Sequence, residues 1–132
     1  MIYSHYPQYL ALQGTVVYYT NMPEPKVNIE SQSSQMRRGI LEFCILLTIS
    51  KERKYASDII KELKSADLIV VEGTLYPLLS RLRQSGLLGY AWEESPSGPP
   101  RKYYELTDSG RTTLKQLEAT WKNLSDSINR LM

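Results

Sequence analysis

Near the C-terminus, Leu114, Leu117, Trp121, Leu124, Ile128 and Leu131 recur at spacings of 3, 4, 3, 4 and 3. That alternation is a heptad seam, the pattern of a helix that lies along a second helix. Thr107-Asp108-Ser109 ahead of it is a capping sequence. A helix from there to the chain end is roughly 37 Å long at 1.5 Å rise per residue. A small domain does not cover a seam of that length, so a second copy of the chain is the expected partner.

Upstream, Ile40-Leu-Glu-Phe-Cys-Ile-Leu-Leu-Thr-Ile49 is apolar on almost every side, which predicts a buried helix. Cys44 lies inside it and reads as an inert core thiol, because apolar surroundings raise its pKa. A second helix is predicted over Ala56–Lys64, where Ile59, Ile60 and Leu63 repeat at helical spacing; Leu68-Ile-Val-Val71 reads as extended. A third helix runs from Glu72 toward Gly86, its apolar stripe being Leu75, Leu78, Leu79 and Leu82. At 100° per residue the opposite face holds Gly73, Pro77, Ser80 and Gln84, with Tyr76 and Arg83 on one flank and Thr74 and Arg81 on the other. Pro77 is tolerable only if the helix starts within about a turn of it, around Glu72 to Thr74. Gly86 is placed to end it.

Two strand-like runs follow, Leu87–Trp92 and Arg101–Leu106, separated by Glu93-Glu-Ser-Pro-Ser-Gly-Pro-Pro100, which reads as the long tip of a hairpin. The expected fold class is mainly α with a small β-hairpin: a winged helix-turn-helix plus a long C-terminal dimerisation helix. In that layout the third helix presents its N-terminal half to the DNA major groove, and the hairpin is the wing. Gly73, Thr74, Tyr76, Pro77, Ser80, Arg81, Arg83 and Gln84 are then candidate DNA contacts. Arg101 and Lys102, at the foot of the wing, are candidates for phosphates or the minor groove. Trp92 is expected to pack the wing onto the helices.

Before residue 36 the texture differs. Met1 to Pro23 carries no Lys, Arg, Asp or Glu, yet holds five of the ten tyrosines. Its apolar part, Tyr9 to Tyr19, is too short and too polar to span a bilayer, and the start lacks the basic residues of a signal peptide. Met22-Pro-Glu-Pro-Lys and Ser31-Gln-Ser-Ser-Gln read as linker. The expected organisation is a disordered tail over 1–35, a winged-helix DNA-binding domain over 36–106 and a dimerisation helix over 107–132. The net charge of +2 divides into −1 before residue 36 and +3 after it, which permits nucleic-acid binding without requiring it. With one Cys and one His, the chain is poorly supplied for a metal centre or a His-dependent triad, and no cofactor is expected. No nucleophile–base pair or phosphate loop is visible, so an enzyme is not expected. The cysteine usage suits a reducing, cytoplasmic setting.

Two blocks carry a family resemblance. Glu72-Gly-Thr-Leu-Tyr-Pro-Leu-Leu-Ser-Arg-Leu82, then Gly86-Leu87, precedes Gly98-Pro-Pro-Arg-Lys-Tyr-Tyr-Glu-Leu-Thr-Asp-Ser-Gly110. In this order they resemble the PadR family of bacterial transcriptional regulators, over about Met36 to Leu131. The short C-terminal helix is similar to the compact branch of that family. The resemblance implies a homodimer built on the C-terminal and first helices, hence Ile40 and Phe43 beside Leu114, Leu117, Trp121, Leu124, Ile128 and Leu131. It also implies a repressor on a palindromic operator, often released by a small aromatic or cationic ligand. Tyr55 matches a family aromatic that meets the DNA backbone, and Trp121 one that in some relatives lies at a ligand-binding pore. Ala56, Arg83 and Val71 depart from the Gly, Glu and Ser or Thr common there. The alternative is a winged-helix protein-interaction module without DNA binding, which Arg81, Arg83, Arg101 and Lys102 argue against.

Overall fold

The computed structural model describes residues 8–12, 14–19, 26 and 28–132. The chain divides into two compact units, Met1–Gln32 and Ser33–Met132. In the first, strands β1 (Gln8–Leu12) and β2 (Thr15–Tyr19) form an antiparallel hairpin, with Gln8 opposite Tyr19 and Leu12 opposite Thr15. This hairpin stands where an unstructured tail is expected. The first linker lies outside the described residues apart from Lys26.

Helix α1 runs from Ile29 to Ile49, so it starts well before Met36 and absorbs the Ser31–Gln35 stretch expected to be linker. Its start is set by Asn28, whose Oδ1 accepts from the Ser31 amide at 3.2 Å. Such a cap supplies one of the acceptors that the first amides of a helix lack, and it lets a polar, exposed turn join the apolar one that follows.

The winged-helix elements follow in the expected order. They are β3 (Lys54–Tyr55), α2 (Ala56–Ser65), α3 (Glu72–Gln84), β4 (Leu88–Ser95), β5 (Gly98–Leu106) and α4 (Asp108–Leu131). The sheet is three-stranded and antiparallel in the order β3-β5-β4, the two-residue β3 being too short for any sequence pattern to reveal. Ile45, Leu46 and Ile49 of α1, Ile59 and Leu63 of α2, and Leu75, Leu79 and Leu82 of α3 form the core with Leu88, Tyr104 and Leu106 of the sheet. Cys44 sits at the edge of this core, half-buried, and burial pushes its thiol pKa up.

Helix ends explain how the pieces meet. α3 closes with Gly86 at φ +79°, the Leu87 amide donating to Leu82 O at 3.0 Å and the Gly86 amide to Arg83 O at 2.9 Å. That is the Schellman arrangement, which glycine enters without a Cβ penalty. α2 ends the same way with Asp67 at φ 60° and the Leu68 amide on Leu63 O at 2.8 Å. Pro77 is in α3, five residues after its first, so the lost hydrogen bond falls near the helix start where disruption is least.

Thr107 starts α4. Its Oγ1 accepts from the Gly110 amide at 3.0 Å and donates to Gly86 O at 2.6 Å, while its own amide donates to Leu87 O at 3.1 Å. Gly110 is buried against this joint; a Cβ there would lie 2.1 Å from Leu87 O.

Two expectations are corrected here. The hairpin tip is short: β4 and β5 run through most of Glu93–Pro100, leaving Pro96-Ser97 as the turn, with Ser95 opposite Gly98 and a register shift at Glu93–Ser95. Pro99 and Pro100 fit in β5 because β3 pairs only at Tyr103 and Tyr104 on one side, and on the other the register shift at Glu93–Ser95 leaves both prolines without a β4 partner. Leu114 is the second correction. It belongs to the domain's own core, 5% exposed, and not to a free seam.

Candidate nucleic-acid interface

The sequence alternation of α3 becomes three strips of side chains. Gly73, Pro77, Ser80 and Gln84 are exposed along the face opposite the core, as are Thr74, Tyr76, Arg81 and Arg83 on its flanks. The flanks are tied to different neighbours. Arg81 forms an ion pair with Glu42 of α1, its Nε and a terminal nitrogen both on the same carboxylate oxygen. Arg83 lies on the other side, its guanidinium 5.2 Å from the centre of the Tyr90 ring on β4. The helix therefore presents a polar strip bounded by an arginine on each edge, one leaning on α1 and one on the wing.

The wing has two unlike faces because successive side chains of a strand alternate. Toward α3 stand Tyr90, Trp92, Lys102 and Tyr104. Lys102 pairs across the strands with Trp92, and its Nζ lies 4.0 Å from the Tyr90 ring centre, 5.5 Å from Trp92 and 5.8 Å from Tyr104. On the far face Tyr55 stacks on Tyr103 with ring centres 3.7 Å apart. Arg53 covers Tyr103 at 5.0 Å and Arg101 covers Tyr55 at 5.1 Å. The Tyr55 hydroxyl, more than burial, pushes Tyr103 up to about 12, so that phenol stays neutral throughout the physiological range.

Of the sequence candidates, the structure brings together Arg83 and Lys102 over the Tyr90 ring on the inner side of the wing and Tyr55 with Arg101 on the outer. Arg101 and Lys102, adjacent in sequence, point to opposite faces. Trp92 is corrected: it does not pack the wing onto the helices but stands 62% exposed. Arg53, Tyr103 and Glu42 escaped the sequence reading. The first two needed strand β3 and its register with β5, and Glu42 needed the crossing of α1 over α3.

The proposed seam also divides. Leu117 packs partly against the core, while Trp121, Leu124 and Ile128 remain 43%, 49% and 43% exposed and Leu131 is almost bare. Ile40 and Phe43 are half-buried on α1, Phe43 against the core. Trp121 lies apart from the groove of about 240 Å³ found between α1 and the start of α3, whose walls include Arg37, Arg38, Leu41, Cys44, Val70 and Thr74. Among the described residues no group of His, Cys, Asp and Glu could hold a metal ion, and no helix is long and apolar enough to cross a membrane.

Three core helices, a β-hairpin beside the third and an exposed polar strip on that third helix define a winged-helix DNA-binding protein. A model of the transcriptional regulator PadR-like family matches residues 45–116, and the chain belongs to that family. A PadR-like transcription factor from Bacteroides fragilis is 58% identical, covering 77% of this chain and 99% of that one with a TM-score of 0.66. A PadR family transcriptional regulator from Eggerthella lenta is 36% identical, over 78% and 90% of the two chains, with a TM-score of 0.68. A PadR-like regulator from Bacillus cereus is 39% identical, over 74% and 95%, at 0.66. The protein is thus a DNA-binding transcriptional regulator and not an enzyme.

Proposed function

We propose that the protein is a cytoplasmic repressor that binds a palindromic operator as a homodimer. In this reading α3 enters the major groove and the wing meets the flanking backbone. The observation that carries it is the exposed strip Gly73, Pro77, Ser80 and Gln84, bounded by Arg81 and Arg83 and adjoining Lys102 on the inner face of the wing. Small side chains on the strip let the helix approach base edges, while Ser and Gln are able to hydrogen-bond to them. Dimerisation rests on the bare stripe of Trp121, Leu124, Ile128 and Leu131. Full burial of such a side chain is worth roughly 1.5–3 kcal/mol, so Leu131 has about that much to gain and Trp121, Leu124 and Ile128, already more than half covered, about half as much each. A two-fold dimer sets its recognition helices about 34 Å apart, one turn of duplex.

A small aromatic or cationic effector fits the same reading. Two facing helices meeting at Trp121 leave room for a flat cation, held by cation–π attraction of roughly 0.5–2 kcal/mol, and splaying them there re-aims the recognition helices.

The test is an electrophoretic shift with the DNA upstream of the protein's own coding sequence, repeated across salt. Six phosphate contacts per dimer give a slope of log K against log salt of about −5. Binding of no duplex at any salt, or equal affinity for operator and random DNA, refutes the reading.

A further inference from the structure

The wing carries a large aromatic, Trp92, whose outer surface nothing among the described residues covers. Three rings form a staircase along the α3-facing side of the sheet: Tyr104 is buried at its foot, Tyr90 is 39% exposed, and Trp92, outermost, is 62% exposed. Tyr90 meets Tyr104 at 6.4 Å and Trp92 edge-on at 6.4 Å with an interplanar angle of 86°. Lys102 lies among all three rings, and Arg83 of α3 covers Tyr90 from the helix side. Trp92 is therefore held in place by its neighbours while much of its surface faces water. Holding it costs little further ordering entropy when a partner arrives.

We propose that Trp92 is a DNA-contacting residue, packing its ring against the sugar walls of the minor groove that flanks each half-site. The inference rests on the reading of α3 and the wing as the DNA interface. Three features select this occupant. The ring shares its side of the sheet with Arg83, which links it to the recognition helix. Its cross-strand neighbour is Lys102, while the adjacent Glu93 turns to the other face and is ion-paired with Arg53, so the positive charge beside the ring suits an apolar surface flanked by phosphate, as deoxyribose is. The register shift at Glu93–Ser95 immediately beyond it and the two-residue turn make a narrow, twisted tip of the kind that enters a groove. A contact of this kind adds affinity without adding charge, so it differs from Lys102 in what it does to salt dependence.

The experiment uses the full chain and operator DNA. The chain has two tryptophans, so the part of the fluorescence signal that Trp92→Phe removes belongs to Trp92. Saturating operator should shield that part from acrylamide. Trp92→Ala should weaken operator binding about tenfold with the salt slope unchanged, and Trp92→Phe should retain most of the affinity. Lys102→Ala should instead flatten the slope by about one per protomer. A wild-type chain that shifts operator while Trp92 stays as accessible as before, together with Trp92→Ala binding at full strength, overturns the proposal and leaves the α3 reading standing. Shielding of Trp92 that grows with protein concentration in the absence of DNA assigns the ring to a contact between copies and overturns it too. If no duplex is bound by the wild type, it is the broader reading that has failed.

Discussion

Gly110→Ala separates local propensity from the joint that joins α4 to the rest of the domain. Within a helix, glycine to alanine ordinarily gains about 1 kcal/mol. Here the added methyl would stand 2.1 Å from Leu87 O, 3.1 Å from the carbon of the same carbonyl and 3.4 Å from Leu106 Cδ2. Ordinary contact is about 3.5 Å, and the obstacle is backbone, which cannot rotate aside. Moving α4 away by an ångström or so strains the three bonds of the joint. These run from the Thr107 amide to Leu87 O, from Thr107 Oγ1 to Gly86 O, and from the Gly110 amide to Thr107 Oγ1. Overpacking typically costs about 1–3 kcal/mol and each weakened bond about 0.5–1.5 kcal/mol. Against the propensity gain, the net expectation is a loss of about 3 kcal/mol, or roughly 10–20 °C in midpoint for a domain of this size. Thermal and urea melts followed by circular dichroism at fixed protein concentration measure it. Ser109→Ala, one residue away and exposed, is the control and should change stability by less than about 0.5 kcal/mol. A Gly110→Ala midpoint equal to or above that of the parent would refute the reasoning.

Four further outcomes are expected. Leu124→Asp places a charge in the bare stripe of α4 and should give a monomer by sedimentation that no longer shifts operator; a dimer that still binds would displace the interface elsewhere. Asp67→Gly should stabilise the domain by up to about 1 kcal/mol in urea titrations, because Asp67 holds φ 60° at the end of α2 where glycine carries no Cβ penalty. Glu42→Gln releases Arg81 toward phosphate, so DNA affinity should rise at low salt and the salt slope should steepen by about one per protomer. Its cost in stability should stay below about 1 kcal/mol, the pair being solvent-exposed. Removing residues 1–28 should leave both the cooperative melt and operator affinity nearly unchanged, since Ser33–Met132 is a compact unit by itself. Loss of a large part of the transition would make the upstream segment structural.

What the sequence disclosed was whatever repeats over several turns. The stripe of α3 and the polar strip opposite it follow from spacing alone, and Gly86 marks the helix end because few other residues suit its φ. Arg83 also turns toward the side that the helical angle assigns to it. The start of α1 was hidden because Ser31–Gln35 has no apolar period, and a single Asn side chain decides where the helix begins. The wing's length is hidden in the sequence because proline and glycine suit a loop, whereas a stretch of strand without ladder partners accepts both. The split fates of Arg101 and Lys102, and the partnering of Tyr55 with Tyr103, depend on strand register, which alternation narrows but does not fix.

The joint around Thr107 bears on how a regulator of this build responds to events along α4. α3 ends at Gln84, β4 starts at Leu88, β5 ends at Leu106 and α4 starts at Asp108, so three residues join α3 to the wing and Thr107 alone joins the wing to α4, with Leu87 and Thr107 facing each other across the joint. Those two residues are bonded to one another, Thr107 also holds Gly86, and Gly110 leaves no space in which the helix could slide. There is no linker to absorb a tilt of α4. In the proposed dimer, a ligand or packing change that rotates one α4 against the other must therefore rotate both the attached wing and the C-terminal end of α3. The spacing of two recognition helices is then a property of the seam, some distance from any DNA contact. In that proposed dimer, residues of the seam would act on operator choice through geometry, with the rigid Gly110 contact transmitting the change.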